Sequence, residues 1–201
     1  MPEFAAVVLA GGRGERLGGA DKPGLLIGDR SLLAAVVGAA TAAGAQSVVV
    51  VGPARPGLGP GQAQFTSERP PGSGPVPALR AGLHLVTEAW LLLLAADLPF
   101  LRSEHLCALL DAAASAGSAV LADDTGAAQW LASAWRTADL RGAVAGYLGD
   151  SLRGVLAPLH PVQVTLPADG GPPPWLDCDT PSDLAAARRW ARNAHQTGGD
   201  R

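Results

Sequence analysis

Phe4-Ala5-Ala6-Val7-Val8-Leu9-Ala10-Gly11-Gly12-Arg13-Gly14-Glu15-Arg16-Leu17-Gly18-Gly19-Ala20-Asp21-Lys22 stands almost at the start of the chain. Its first six positions are apolar without a break, the pattern of a strand covered by helices on both faces of a parallel sheet. The glycines after it admit positive φ and put no Cβ in the way of a ligand, so successive N–H groups can converge on an anion. Arg16 and Lys22 supply positive charge, and Asp21 is placed to orient Lys22 or the loop. A buried strand running into a basic, glycine-rich turn predicts an α/β fold whose first loop receives a polyphosphate.

Two familiar nucleotide loops do not fit the spelling. The P-loop needs its lysine directly after the last glycine, whereas Lys22 follows Ala20-Asp21. The dinucleotide fingerprint needs a third glycine and an acidic residue after the second strand, and neither accompanies Gly12, Gly14 and the valines of 48–51. The wider pattern is still that of alternating strands and helices. Leu25 to Ile27 and a Gly28-Asp29 turn precede a helix capped by Asp29 or Ser31, running to about residue 43 and stopped by Gly44. Residues 46–51 make the next strand, which completes a βαβ unit. Residues 52–77 carry too much glycine and proline for a long helix or a central strand. A helix over 78–88 leads to the apolar strand 90–96, which ends at Asp97. In open parallel sheets the ligand crevice lies outside the carboxyl ends of the strands, so Asp97 is expected on the same rim as the 11–22 loop. Further on come a helix over 103–115 capped by Ser103, a strand over 118–121, a turn at 123–126, helices near 138–148 and 152–156, and a short strand at 162–166.

Composition narrows the class. With 201 residues and 48% hydrophobic content the chain can bury a full core, which points to a single domain over 1–195 with a flexible tail at 196–201. A net charge of −3 argues against a nucleic-acid binder. No stretch reads as a secretory signal or a membrane span, so a cytoplasmic protein with two reduced thiols, Cys107 and Cys178, is expected. His84, His105, His160 and His195 lack zinc-site spacing, and Trp135, Trp175 and Trp190 read as core.

Three segments resemble one family in order. The 9–22 loop resembles the Leu-Ala-Gly-Gly signature of nucleotidyltransferases of the molybdenum cofactor guanylyltransferase (MobA-like) type. Ala96-Asp97-Leu98-Pro99 is similar to that family's metal-binding Asp-x-Pro segment, and Asp177-Cys178-Asp179-Thr180-Pro181-Ser182-Asp183-Leu184 to its Asn-x-Asn-Thr-Pro-Glu-Asp-Leu segment. Residues 68–83 resemble the glycine-rich segment that flanks the base, with Val76-Pro77 where Leu-Ala is usual. Residues 127–135 resemble a Gln-Pro-Leu-x-x-x-Tyr/Trp region, with Trp130 in place of proline.

The resemblance implies a three-layer Rossmann-like fold with a mainly parallel sheet. It also implies transfer of a nucleoside monophosphate from GTP or another NTP to molybdopterin or its molybdenum-loaded form, with Mg2+ as cofactor and pyrophosphate as product. Partners in molybdoenzyme maturation follow from the same resemblance, and neither a nucleic acid nor a membrane is called for. Arg16, Lys22 and Asp97 are the expected catalytic residues. Leu9, Ala10, Gly11, Gly12, Arg13, Gly14, Arg16, Lys22, Gly74 and Asp97 are expected to bind the nucleotide, and Asp97 and Asp179 the metal. Asp179 also has a plain role available, since Thr180, Pro181 and Asp183 make a good helix start by themselves. Three alternatives remain open at this level: a cytidylyltransferase for the same cofactor, favoured by Asp179 and Val76-Pro77; a sugar- or polyol-phosphate nucleotidyltransferase; and a non-catalytic nucleotide-binding protein.

Overall fold

The strand residues divide cleanly by parity, and this division builds the layers. On β1 (Phe4–Leu9) and β4 (Ser47–Val51), Phe4, Ala6, Val8, Val48 and Val50 face one core, while Ala5, Val7, Val49 and Val51 face the other. β6 (Trp90–Ala95) splits the same way, Leu92 and Leu94 against Leu91 and Leu93. Side chains alternate across a strand, so a run that is apolar at every position needs cover on both faces. The first core is closed by α1 (Leu32–Ala42) and α3 (Ser103–Ala116). The second is closed by α2 (Pro75–Leu83), α4 (Thr137–Gly146) and α5 (Leu152–Leu156).

The computed structural model describes residues 2–11, 21–59, 61–167 and 170–197. Among them, β5 (Gln64–Thr66), β7 (Ser118–Ala122), β8 (Ala128–Arg136) and β9 (Val162–Val164) complete a seven-stranded sheet in the order β5-β4-β1-β6-β8-β7-β9. Pairing is parallel except for β8, which runs antiparallel to both β6 and β7. A small hairpin of β2 (Leu26–Ile27) and β3 (Arg30–Ser31) stands apart, and α6 (Pro181–Thr197) follows the last loop. This is the mainly parallel, three-layer arrangement expected. No described helix is long and apolar enough to cross a membrane.

Several local readings change. Helix α2 starts at Pro75, not near 78, because proline is tolerated where a helix has no N–H partners to lose; it ends at Leu83, before 88. Its end is fixed from outside, since the Arg141 guanidinium donates to the carbonyls of Leu83 (2.9 Å) and Val86 (2.5 Å). At α3 the N-cap is Arg102, whose N–H is accepted by the His105 ring nitrogen at 3.2 Å, instead of Ser103. The 127–135 segment, which no periodicity marked, falls almost wholly in the nine-residue reversed strand β8. Trp135 is buried as expected, whereas Trp190 on α6 is exposed and forms no part of the core.

Candidate active site

The carboxyl ends of β1, β4 and β6 are laced together by backbone bonds beyond the strands. Ala10 N–H donates to Val51 O (2.9 Å), Ala96 N–H to Leu9 O (3.1 Å) and Gly52 N–H to Thr66 O (2.8 Å). Gly52 has φ +151°, and a Cβ there would stand 2.8 Å from the Ala10 carbonyl oxygen, so only glycine lets the loops after β1 and β4 approach this closely. Leu9, Ala10 and Gly11 therefore sit at this rim. Gly12, Arg13, Gly14 and Arg16, named with them above, lie outside the described residues.

From Asp21 the chain makes one 3-10 turn over Lys22–Gly24. Lys22 leaves this turn with its side chain 15% exposed and bonds through Nζ to both Asp97 and Asp179. Three distant segments, the glycine loop, the end of β6 and the start of α6, thus meet at one ammonium group. Burial alone pushes the Lys22 pKa down, but the hydrogen bonds it donates to Asp179 and Asp97 and the charges of those carboxylates outweigh it and hold the group above its ordinary value. The ammonium is charged, and with two of its three N–H groups spent it keeps one donor in hand among the described residues.

Asp179 reaches the cluster because its neighbours already satisfy the helix start. Thr180 N–H donates to the Asp183 carboxylate (2.8 Å) and Asp183 N–H to Thr180 Oγ1 (3.2 Å), a reciprocal cap. The helix cap therefore falls on Thr180 and Asp183, while the Asp179 carboxylate meets Lys22. Asp177 is raised in pKa by burial first and then by the charges of Asp179 and Asp97, which records how much negative charge gathers here. Cys178, fully buried between them, is pushed up to about 12 by burial and by Asp97, so its thiol stays protonated and is no nucleophile.

Gly74 is the N-cap of α2 with φ +107°. By the parallel crossover from β5 to β6, that helix start lies on the same rim of the sheet. Its neighbour Ser73 lines a cleft of about 630 Å3 together with Thr66, Glu68, Arg69 and Arg80. The Ser73 Oγ there is buried and has no hydrogen-bond partner among the described residues. Sequence reasoning passed over Ser73, as it did Arg55, whose guanidinium holds the Asp21 carboxylate through Nε at 2.8 and 2.9 Å.

A mainly parallel sheet and a lysine after its first strand that meets two carboxylates at the carboxyl rim fit a nucleotide-handling enzyme of the transferase class. Residues 6–164 match the model of the MobA-like NTP transferase domain, and the chain belongs to that family. A molybdenum cofactor guanylyltransferase of Rhodobacter capsulatus is 35% identical over 199 residues, which cover 95% of this chain and 98% of that protein. Among solved structures, the molybdopterin-guanine dinucleotide biosynthesis protein A of Archaeoglobus fulgidus superposes with a TM-score of 0.73 at 19% identity, covering 94% of this chain and 99% of the other. The 2-C-methyl-D-erythritol 4-phosphate cytidylyltransferase of Thermus thermophilus gives 0.73 at 23% identity, with 94% and 99% covered. These last two likenesses speak for the fold.

Proposed function

We propose that this chain transfers a guanylyl group from GTP to a phosphorylated, molybdopterin-type acceptor and releases pyrophosphate. The observation that carries the reading is the meeting of Lys22, Asp97 and Asp179 at the carboxyl rim. Family membership and the named activity of the Rhodobacter relative supply the substrate class.

An acceptor phosphate oxygen attacks the α-phosphorus in line; the new P–O bond forms as the bond to the bridging oxygen breaks, and pyrophosphate leaves with that electron pair. Lys22 offers its remaining N–H to the β- and γ-phosphate oxygens, a task shared with Arg16. The rim of Leu9, Ala10 and Gly11 and the start of α2 at Gly74 hold the nucleotide between them. The donor set fits Mg2+: Asp97 and Asp179 are hard oxygen ligands that already share one cationic partner. Among the described residues no group of three His, Cys, Asp or Glu gathers to hold a metal. When bound, the ion supplies charge neutralisation at the α-phosphate.

The test is a matrix of purified protein, Mg2+, each NTP and each acceptor, including molybdopterin, read by pyrophosphate release. GTP with molybdopterin is expected to give the signal; none with any pair refutes the reading. The aspartate at 179 and Val76-Pro77 favour a cytidylyltransferase as the second reading, and CTP in place of GTP in the same matrix decides between them.

A further inference from the structure

We infer that Arg55 is a positioning residue of the transfer site, acting on the triphosphate through Asp21 and Lys22 without touching it. Arg55 belongs to the loop after β4, far in sequence from the glycine loop, yet its side chain is only 8% exposed and is spent on a fixed set of acceptors. Nε donates to both Asp21 carboxylate oxygens (2.8 and 2.9 Å) and Nη1 to the carbonyl of its own loop residue Pro53 (3.1 Å). A planar guanidinium held on both sides is a stiff strut, which a lysine in its place cannot reproduce. The strut ends on the residue immediately before Lys22.

The turn it braces has little play. Gly24 N–H donates to Asp21 O at 3.0 Å, and the Asp21 carboxylate folds over the Gly24 Cα so closely that a Cβ there would meet Oδ2 at 2.7 Å. Asp21 is thus pinned by its backbone on one side and by Arg55 on the other, and Lys22 is aimed from a braced base at Asp97 and Asp179. Charge points the same way. Without Arg55 the half-exposed Asp21 carboxylate stands uncompensated beside a site that must accept a highly anionic triphosphate.

The inference rests on the nucleotidyl-transfer reading, and calorimetry of GTP and GMP binding with Mg2+ separates the two. The set is wild type, R55A, R55K, K22A and R55A/K22A, each with its Tm. R55A is expected to weaken GTP about five- to tenfold, the scale on which a misaimed Lys22 gives up one charge-assisted hydrogen bond to phosphate, while GMP, which lacks the β and γ groups, is unchanged. R55K is expected to fall between R55A and wild type, and it serves alone if R55A does not fold. In the K22A background, R55A is expected to add less than about twofold, because its effect runs through Lys22. Unchanged GTP affinity in the Arg55 variants, a parallel loss for GMP, or full additivity with K22A overturns the inference alone. A wild-type chain that binds no nucleoside triphosphate overturns the transfer reading and this inference with it.

Discussion

Replacing Gly82 by alanine in α2 is expected to destabilise the protein, although alanine is the better helix former. A Cβ at Gly82 would stand 2.6 Å from Val7 Cγ1, 3.0 Å from Val51 Cγ2 and 3.4 Å from Val7 Cγ2. Both valines are fully buried on the central strands β1 and β4, where close packing and the restricted χ1 of a β-branched side chain leave little room to swing away. Relief requires α2 to rise from the sheet by close to an ångström. Overpacking of this kind costs about 1–3 kcal/mol, and the shortness of the contact puts Gly82 in the upper half of that range. Helix propensity returns about 1 kcal/mol. The net is a loss of roughly 1–2 kcal/mol, or a fall in Tm of roughly 2–8 °C for a chain of this size. Gly142 is the control: it lies on the exposed side of α4, a Cβ there meets nothing within 4 Å, and Gly142→Ala is expected to raise Tm by roughly 2–4 °C. Calorimetric scans and urea midpoints of the two variants beside wild type measure both signs. A Gly82→Ala protein as stable as wild type would refute the claim that the close approach of α2 to the sheet fixes this glycine.

Asp97→Asn is expected to leave Tm within about a degree or two and to cut kcat/KM by about a hundredfold or more, since a carboxylate that offsets charge at the reacting phosphate is lost; undiminished kcat/KM at saturating Mg2+ refutes it. Arg141→Ala removes the guanidinium that donates to the carbonyls of Leu83 and Val86, leaving Leu83 O with the Val86 N–H, and is expected to lower the urea midpoint by about 1–2 kcal/mol equivalent, with the reciprocal Arg80→Ala, which takes a donor from Val144 O and Tyr147 O, losing a similar amount. An unchanged midpoint in both removes these arginines from the account of how α2 and α4 end. Glu88 gives a pH test. Burial raises its pKa, but the Ser47 hydroxyl (2.6 Å) and the Thr87 N–H (2.9 Å) outweigh burial and leave it lowered. A lowered folded pKa stabilises above the unfolded value of about 4.3 and is lost as pH falls through the folded value. Ser47→Ala is therefore expected to cost about 0.5–1 kcal/mol at pH 7 and progressively less below about pH 4; a difference that is constant across that window contradicts the assignment.

What the sequence made legible follows the range of the interactions involved. β1, β4 and β6 were readable because burial on both faces writes itself as uninterrupted valine and leucine, and α1 because Ser31 caps it and Gly44, at φ +95°, stops it. The three-residue β5 was not, since an edge strand with one neighbour needs little apolar pattern. Nor was β8, where the register shift opposite Val120 and Leu121 breaks the alternation that marks a strand; Ser133 falls in the middle of it, fully buried, accepting from the Trp135 indole at 2.8 Å and donating to Trp130 O at 2.7 Å.

The same distinction governs the site. Lys22 and Asp97 could each be picked out locally, one by its glycine loop and one by ending an apolar strand, and Asp179 by the resemblance of 177–184 to the family's Asn-x-Asn-Thr-Pro-Glu-Asp-Leu segment. Their convergence follows from topology, because parallel strands send every following loop to one rim and the antiparallel β8 leaves that rim undisturbed while widening the sheet. Arg55 had no such local mark, since an arginine in a glycine- and proline-rich loop is ordinary and nothing in the spelling ties it to Asp21. The ion pair exists because Gly52 lets the β4 loop fold against Ala10, at the place where the glycine loop departs. A bulkier residue at 52 should therefore disturb Asp21 and Lys22 without occupying any part of the nucleotide site, which makes the loop after β4 as much a part of the transfer machinery as the loop after β1.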